Sequence, residues 1–253
     1  MVSEQGIIQT DITNFRDIGG YQTADGHLKS GIFFRSGELY NLKPQNITFL
    51  NDTLHLKKIY DFRRPEEINS RPDTSIDKIL YENINLLSSP RKANPSLKNM
   101  VIATNIEEHM LSVYSELVLS PASQKGYHQF LVEILNNTDP IVFHCFAGKD
   151  RTGFAAALLL KIAGASDADI FEDYLLTNQA RKKENAQILA RFQQKLPPEK
   201  LTALDISLNV KAAYLAHAFT LIKQRYGSFD TYLEKGLQLP SSYISQFRNL
   251  YIK

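Results

Sequence analysis

The sequence predicts an α/β protein: a central, mostly parallel sheet flanked by helices, with additional helices towards the C-terminal end. Three observations carry this. Short β-rich runs alternate with helical patterns through the middle of the chain, an order that lays helices on the faces of a largely parallel sheet. One apolar run, Pro140 to Phe143, leads through a short loop directly into an apolar helix pattern ending at Gly164. The last third reads as mostly helical. With 253 residues, 43% of them hydrophobic, the chain is long enough for a large core, and residues 1–253 are read as one domain.

The elements follow in order. Between Asn14 and Ser36, Gly19-Gly20, Asp25-Gly26 and Gly31 separate short apolar pieces, and Asp-Gly in that setting predicts a hairpin turn. A helix is expected from Pro44 to about Leu54. Lys58 to Phe62 reads as a short buried strand ending at a charged cluster. Asp77 to Leu86 alternates apolar and polar residues, as a strand does. Ser88 to Asn99 is polar and carries two prolines, the composition of a mobile loop or lid base. Helical patterns follow at Glu107–Leu119 and Ser123–Asn136. Asp139-Pro140 turns the chain into the next strand. The helix after it, from about Thr152 to Ala163, is stopped by Gly164. Ser166 is placed to cap the following helix, and Leu239-Pro240-Ser-Ser opens the last one. The C-terminal helices are left either to pack on the sheet or to form a cap.

Composition narrows the function. The net charge is +2, so no bulk positive field argues for nucleic acid as a partner. One cysteine cannot form an intramolecular disulfide or a multi-cysteine zinc site. The N-terminus shows no basic segment followed by an apolar run, and Phe154–Leu160 is far too short to span a bilayer. A soluble, cytoplasmic protein is expected; export without a cleaved signal would leave no mark.

The chemistry is concentrated in IVFHCFAGKDRTGFAAALLL, from Ile141 to Leu160. A loop between a strand end and a helix N-terminus points backbone N–H groups inward, and the helix dipole adds to their field. Such a loop cradles a tetrahedral dianion. Cys145 at its centre would have a depressed thiol pKa. Arg151, separated from Cys145 by five residues, offers a planar fork for two phosphate oxygens. The loop residues Phe146, Ala147, Gly148, Lys149, Thr152 and Gly153 are the candidate phosphate contacts. Gly148 and Gly153 leave the turn uncrowded, and the Thr152 hydroxyl could donate to the thiolate. His144 could order the loop through its ring. A lone cysteine is more often a small buried hydrophobe, and Cys-x5-Arg alone is weak. The strand, glycines, hydroxyl and apolar helix around it make the catalytic reading the stronger one.

HCFAGKDRTG resembles the signature loop of the cysteine-dependent tyrosine phosphatase superfamily. More narrowly, the chain resembles the bacterial tyrosine/lipid phosphatases of the mycobacterial phosphatase B type. The resemblance rests on NFRDIGGY (Asn14–Tyr21), the cluster Asp61-Phe-Arg-Arg-Pro-Glu-Glu67, and the loop. It runs from about residue 10 to residue 180. It implies a tyrosine-phosphatase-like fold, a single phosphatase domain, and hydrolysis of phosphate monoesters through a phosphocysteine, with no cofactor and no metal. The substrates implied are phosphotyrosyl proteins or phosphoinositides, with phosphoserine and phosphothreonine also open, and inorganic phosphate is the product.

A leaving alkoxide or phenolate needs a general acid. Superfamily members usually carry an aspartate thirty to forty residues before the cysteine, but no Asp occurs between Asp77 and Asp139. Glu107 and Glu108 fall in a helical pattern and read as a solvated face. Asp150 is the stronger candidate, and the narrower family carries Asp there too; a purely structural loop carboxylate is the alternative. Asp61, at a strand end, is expected to orient Arg151 or shape the pocket, with an exposed ion pair as the alternative. Arg63, Arg64 and Glu67 are read as surface charges, and Asn14 to Asp17 as support for the loop. Lys149 beside the phosphate site suits a polyanionic substrate, as in phosphoinositide 3-phosphatases; a solvated lysine is the alternative. The competing function is a catalytically weak module that holds phosphorylated ligands. A reductase would need further cysteines, and a metallophosphatase would need clustered ligands.

Overall fold

The computed structural model describes residues 10–87 and 105–253; the segment Ser88–Asn99, read above as a lid base, lies outside the described residues. Among these, a five-stranded sheet has the order β1-β4-β7-β5-β6. Its strands are β1 (Arg16–Asp17), β4 (Phe33–Ser36), β5 (Lys58–Asp61), β6 (Leu80–Asn83) and β7 (Ile141–His144). Only β1 runs antiparallel, against β4; the other pairings are parallel. The mostly parallel sheet predicted from the sequence is therefore present.

The register sets up the site. Ser36, His144, Asp61 and Asn83 stand side by side at the carboxyl edge of four parallel strands. Ligands of open α/β sheets bind in the crevice outside that edge. The central strand β7 is buried throughout, and its side chains alternate between two cores. Phe143 enters the larger one with most of the helices, and Val142 the smaller one with Phe34, Ile59 and Leu50.

The hairpin at Asp25-Gly26 pairs β2 (Gln22–Thr23) with β3 (Gly26–His27), the turn falling on Ala24-Asp25. The helix expected over 44–54 is α1 (Pro44–Thr48) running into a π-turn, Phe49–Thr53. The strand expected over 77–86 contracts to β6, whose residues are mostly exposed because it forms the sheet edge. After α2 (Pro65–Ser70), α3 (Ile106–Leu119) and α4 (Pro121–Leu135) match their helical patterns. Helix α5 (Arg151–Ala163) follows the loop and stops at Gly164 in a left-handed conformation, φ 92°. Ser166 caps α6 (Asp167–Ala180), accepting from the N–H of Asp169.

The C-terminal helices do both things left open by the sequence. Helices α7 (Lys182–Phe192) and α8 (Pro198–Leu208) lie over the loop through Ile188 and Leu208. Helix α9 (Ala212–Tyr226) packs on α3, and a short turn of helix, α10 (Phe229–Thr231), leads on. The final helix α11 (Tyr243–Tyr251) packs against α5, with Arg248 Nε donating to the carbonyl of Ile162 at 3.0 Å. No helix of the described residues is long and apolar enough to cross a membrane.

Candidate active site

The loop Cys145–Asp150 leaves β7 and enters α5, and its carbonyls are tied to donors outside it. The N–H of Glu38 donates to the carbonyl of Phe146 at 3.1 Å. Arg181 Nη1 donates to that of Ala147 at 3.0 Å. Asn14 Nδ2 and Arg35 Nη2 both donate to that of Gly148, at 2.7 and 3.0 Å. In a trans peptide the N–H points opposite to the carbonyl, so the amides of Ala147, Gly148 and Lys149 are turned to the other side, as an anion cradle requires. Gly148 is indispensable to this path: its φ is +66°, and a Cβ there would stand 2.2 Å from the carbonyl oxygen of Ser36.

Cys145 is 3% exposed. Burial would raise its thiol pKa, but the Arg151 charge and the hydroxyl and N–H of Thr152 pull it below its ordinary value, against a smaller opposing push from Asp150. The Thr152 hydroxyl is buried beside the sulfur and contributes to that lowering. Arg151 is buried too. Burial disfavours its charge, yet Glu67 and the Cys145 sulfur hold its pKa above the ordinary value. Its two terminal nitrogens reach the two oxygens of Glu67 at 2.7 and 2.8 Å, and Nη1 also donates to the carbonyl of Phe62 at 3.2 Å.

Glu67 corrects the reading of this cluster as surface charge. It sits in the first turn of α2, accepts the N–H of Arg64 at 2.9 Å, and grips Arg151. Burial raises its carboxyl pKa, but the charge and hydrogen bonds of Arg151, with the N–H and charge of Arg64, together outweigh that, so the net shift is down. Arg63 and Arg64 are buried, and Glu67 is partly so. A buried guanidinium needs carboxylates around it, and Arg63 Nη2 lies 2.7 Å from both Asp61 and Asp73.

Asp61 is fully buried and does not hydrogen-bond Arg151. It takes the N–H, Nε and Nη2 of Arg63 and the hydroxyl of Tyr81. Its burial removes the exposed alternative, and of the expectation that Asp61 orients Arg151 or shapes the pocket, the contact with Arg151 is not made. The reason is Glu67, which reaches Arg151 from α2 and occupies both prongs. His144 stands between Asp61 and Asp73, with Nε2 2.7 Å from Asp73 and Nδ1 3.1 Å from the carbonyl of Cys145. Burial would lower its pKa, but the two carboxylates outweigh that and hold it at about 9. Asp61, Asp73 and His144 could together ligate a metal ion, but the Arg63 guanidinium already supplies the positive charge between the two carboxylates.

On the other flank Asp173 receives Arg16 at 2.8 Å and Arg35 at 2.5 Å. Arg16 also donates to Asn14 Oδ1 at 2.6 Å. The expected supporting role of Asn14–Asp17 thus runs through Asn14 and Arg16 to the loop, while Asp17 ties the N–H groups of Gly19 and Gly31. Gly153 faces the ring of Tyr174 on the helix side. Asp150 is 4% exposed and Lys149 3%, so the solvated-lysine reading does not hold. Glu107 and Glu108 are exposed on α3, as expected. The cleft is lined by Cys145, Phe146 and Lys149 from the loop and by Arg181, Ile188 and Leu208 from the C-terminal helices. Sequence reasoning misses Arg181, Asp73, Asp173 and Tyr114. Arg181, Asp173 and Tyr114 lie 34 or more residues from the groups they meet, and Asp73 lies 34 from Leu39 and 10 from Arg63, spacings that no helix or strand period reveals.

The sequence matches the model of the tyrosine phosphatase family over residues 8–253. A Cupriavidus necator protein assigned as a tyrosine-protein phosphatase is 30% identical over 245 residues, 95% of this chain and 86% of that one. The triple specificity protein phosphatase PtpB of Mycobacterium tuberculosis is 31% identical over 255 residues, covering 87% of this chain and 90% of PtpB. The inositol diphosphatase SIW14 of Saccharomyces cerevisiae is 30% identical over 141 residues, 54% of this chain and 42% of SIW14.

Proposed function

Because the chain belongs to the tyrosine phosphatase family, we propose that its activity is carried by Cys145 as nucleophile, Arg151 as phosphate clamp and Asp150 as general acid. The chain is a cysteine-dependent phosphoric monoester hydrolase acting on phosphorylated substrates. The observation that carries the residue assignment is a buried cysteine whose pKa is nonetheless depressed, beside an arginine gripped at both prongs by Glu67.

In the first step the Cys145 thiolate attacks phosphorus. The S–P bond forms as the ester P–O bond breaks, and the leaving oxygen takes its proton from Asp150. Arg151 and the loop amides hold the equatorial oxygens, where charge spreads in the transition state. In the second step water attacks phosphorus, the Asp150 carboxylate takes its proton, the S–P bond breaks and inorganic phosphate leaves. Thr152, beside the sulfur, donates to the departing thiolate. Phe146, Ala147, Gly148 and Lys149 form the cradle, and no metal or cofactor takes part.

For substrate class, phosphotyrosine and phosphoinositides are both proposed. Lys149 places a second cation beside the loop, which suits a ligand with more than one phosphate; the inositol phosphatase among the relatives points the same way. One domain over residues 1–253 and a cytoplasmic location complete the reading, since the single cysteine belongs to the site and the fold uses no disulfide. The alternative of a binding module is not favoured, because the chain keeps both Cys145 and Arg151. The test is Cys145→Ser: turnover of p-nitrophenyl phosphate in EDTA should vanish while vanadate binding and the melting temperature persist, and quenched wild type should yield phosphocysteine. Substantial turnover by the serine variant would end the assignment.

A further inference from the structure

Asp150 occupies the N-cap position of α5, where an aspartate ordinarily turns its carboxylate onto the first N–H groups of its helix. Here its side chain makes no such bond. Its Oδ1 accepts the hydroxyl of Tyr114 at 3.1 Å instead. Lys149 Nζ stands 3.3 Å from Oδ1 and 3.0 Å from Oδ2. Tyr114 comes from α3 and is fully buried, and its oxygen meets the hydroxyl of Tyr174 at 2.6 Å. Tyr174 comes from α6 and is seated against Gly153, where a Cβ would fall 3.2 Å from its ring. Tyr114 and Lys149 thus meet on one carboxylate that its own helix leaves unused, with Tyr174 behind Tyr114.

We propose that Tyr114 is a positioning residue for the general acid: backed by Tyr174, it donates to Oδ1 of Asp150 and, with the Lys149 ammonium, fixes the carboxyl in place. This rests on the reading of Asp150 as the acid. The proton ledger closes without Tyr114 ionising. The carboxyl O–H bond of Asp150 breaks as the ester P–O bond breaks, the bonding pair of that P–O bond stays on the ester oxygen, and the proton joins it. Hydrolysis later returns a proton from water to the carboxylate. Burial pushes the Tyr114 phenol well above its ordinary pKa, so it donates a hydrogen bond throughout and never transfers the proton. Its benefit lies in the anion left behind. A buried carboxylate needs donors, and beside the Lys149 ammonium the Tyr114 hydroxyl is a further one, already aimed at the charge that develops there, with no reorganisation during the step.

The experiment measures kcat and kcat/KM for aryl phosphates of graded leaving-group pKa in Tyr114→Phe, Asp150→Asn and the double variant, each checked by thermal melting. Tyr114→Phe should cost about tenfold in kcat on phenyl phosphate or phosphotyrosine, the worth of one hydrogen bond to a charged group, and under about twofold on p-nitrophenyl phosphate. In the Asp150→Asn background the same change should cost almost nothing. Tyr174→Phe, which keeps the ring packing, should show the same leaving-group pattern at smaller size and guards against a misfolded Tyr114 variant. Equal losses on all substrates, or an undiminished loss in the Asp150→Asn background, would overturn the positioning role while leaving the acid in place. If Asp150→Asn itself lost activity evenly across leaving groups, the acid assignment would fall, and the role of Tyr114 with it.

Discussion

Replacing Glu67 by Gln tests how the phosphate clamp is held. Glu67 keeps both oxygens on Arg151, at 2.7 and 2.8 Å, with Arg151 2% exposed and the Glu67 side chain 18%. Gln is nearly isosteric, but one prong then faces an amide N–H₂ in place of an acceptor, and a buried guanidinium loses its counter-charge. Breaking a buried pair outright costs about 3–5 kcal/mol. Gln keeps one acceptor and Glu67 is not wholly buried, so about 2–3 kcal/mol of stability should be lost. The carboxyl pKa of Glu67 is depressed below its ordinary 4.5. Its contribution is therefore complete above about pH 4.5 and disappears as pH falls through the lower folded value. The gap in melting temperature between wild type and Glu67→Gln should be full at neutral pH and close in acid. An arginine free to swing no longer presents its fork to the equatorial oxygens, so kcat/KM should fall roughly 10–100-fold, the scale of a small misplacement. Vanadate, which adopts the five-coordinate geometry, should weaken in parallel, and inorganic phosphate should weaken much less. Loss of stability with kcat/KM intact would refute the positioning argument, as would equal weakening of vanadate and phosphate.

Three further outcomes follow from the same geometry. His144 has a folded pKa raised to about 9 from an ordinary 6.5, so its contribution, about 3 kcal/mol at most, is complete below pH 6.5 and lost as pH rises through about 9. Thermal melts of wild type should show that decline, and His144→Asn should flatten it; a wild-type curve flat from pH 6.5 to 9.5 would contradict the assignment. Gly148→Ala, with its Cβ forced to 2.2 Å from a backbone oxygen, should displace the loop and cut kcat/KM at least about 100-fold, and a variant with normal kinetics would show that the loop tolerates another path. Lys149→Ala should reduce kcat/KM on a phosphoinositide about five- to thirtyfold more than on a phosphotyrosyl peptide, with added salt narrowing the gap; equal losses would make Lys149 a general loop residue.

Legibility tracked range along the chain. The Cys145–Thr152 loop, its preceding strand and its following helix are contiguous, so the side-chain periods and the glycine positions reported them directly. The hairpin at Asp25-Gly26, the Ser166 cap and the Gly164 stop were readable for the same reason. Boundaries slipped where neighbours decided them. Asp77–Leu86 alternates along ten residues, but only Leu80–Asn83 finds a partner strand, because the sheet ends there. The segment Pro44–Leu54 has helical composition yet changes to a π-turn after Thr48, burying Leu50 in the smaller core.

The sequence by itself determined the class of fold, the nucleophile loop and the kind of reaction, because each is written in residues a few positions apart whose backbone and side-chain preferences are intrinsic. Which charges neutralise one another was decided only by tertiary structure. Arg151 finds Glu67 across 84 positions, Arg16 finds Asp173 across 157, and Asp150 finds Tyr114 across 36. From the sequence Arg63, Arg64 and Glu67 look like surface charges, since lone charges avoid burial. Folding buries the two arginines, and Glu67 in part, by bringing opposite charges together as the site closes, and a buried charge is tolerable only when its partners arrive with it.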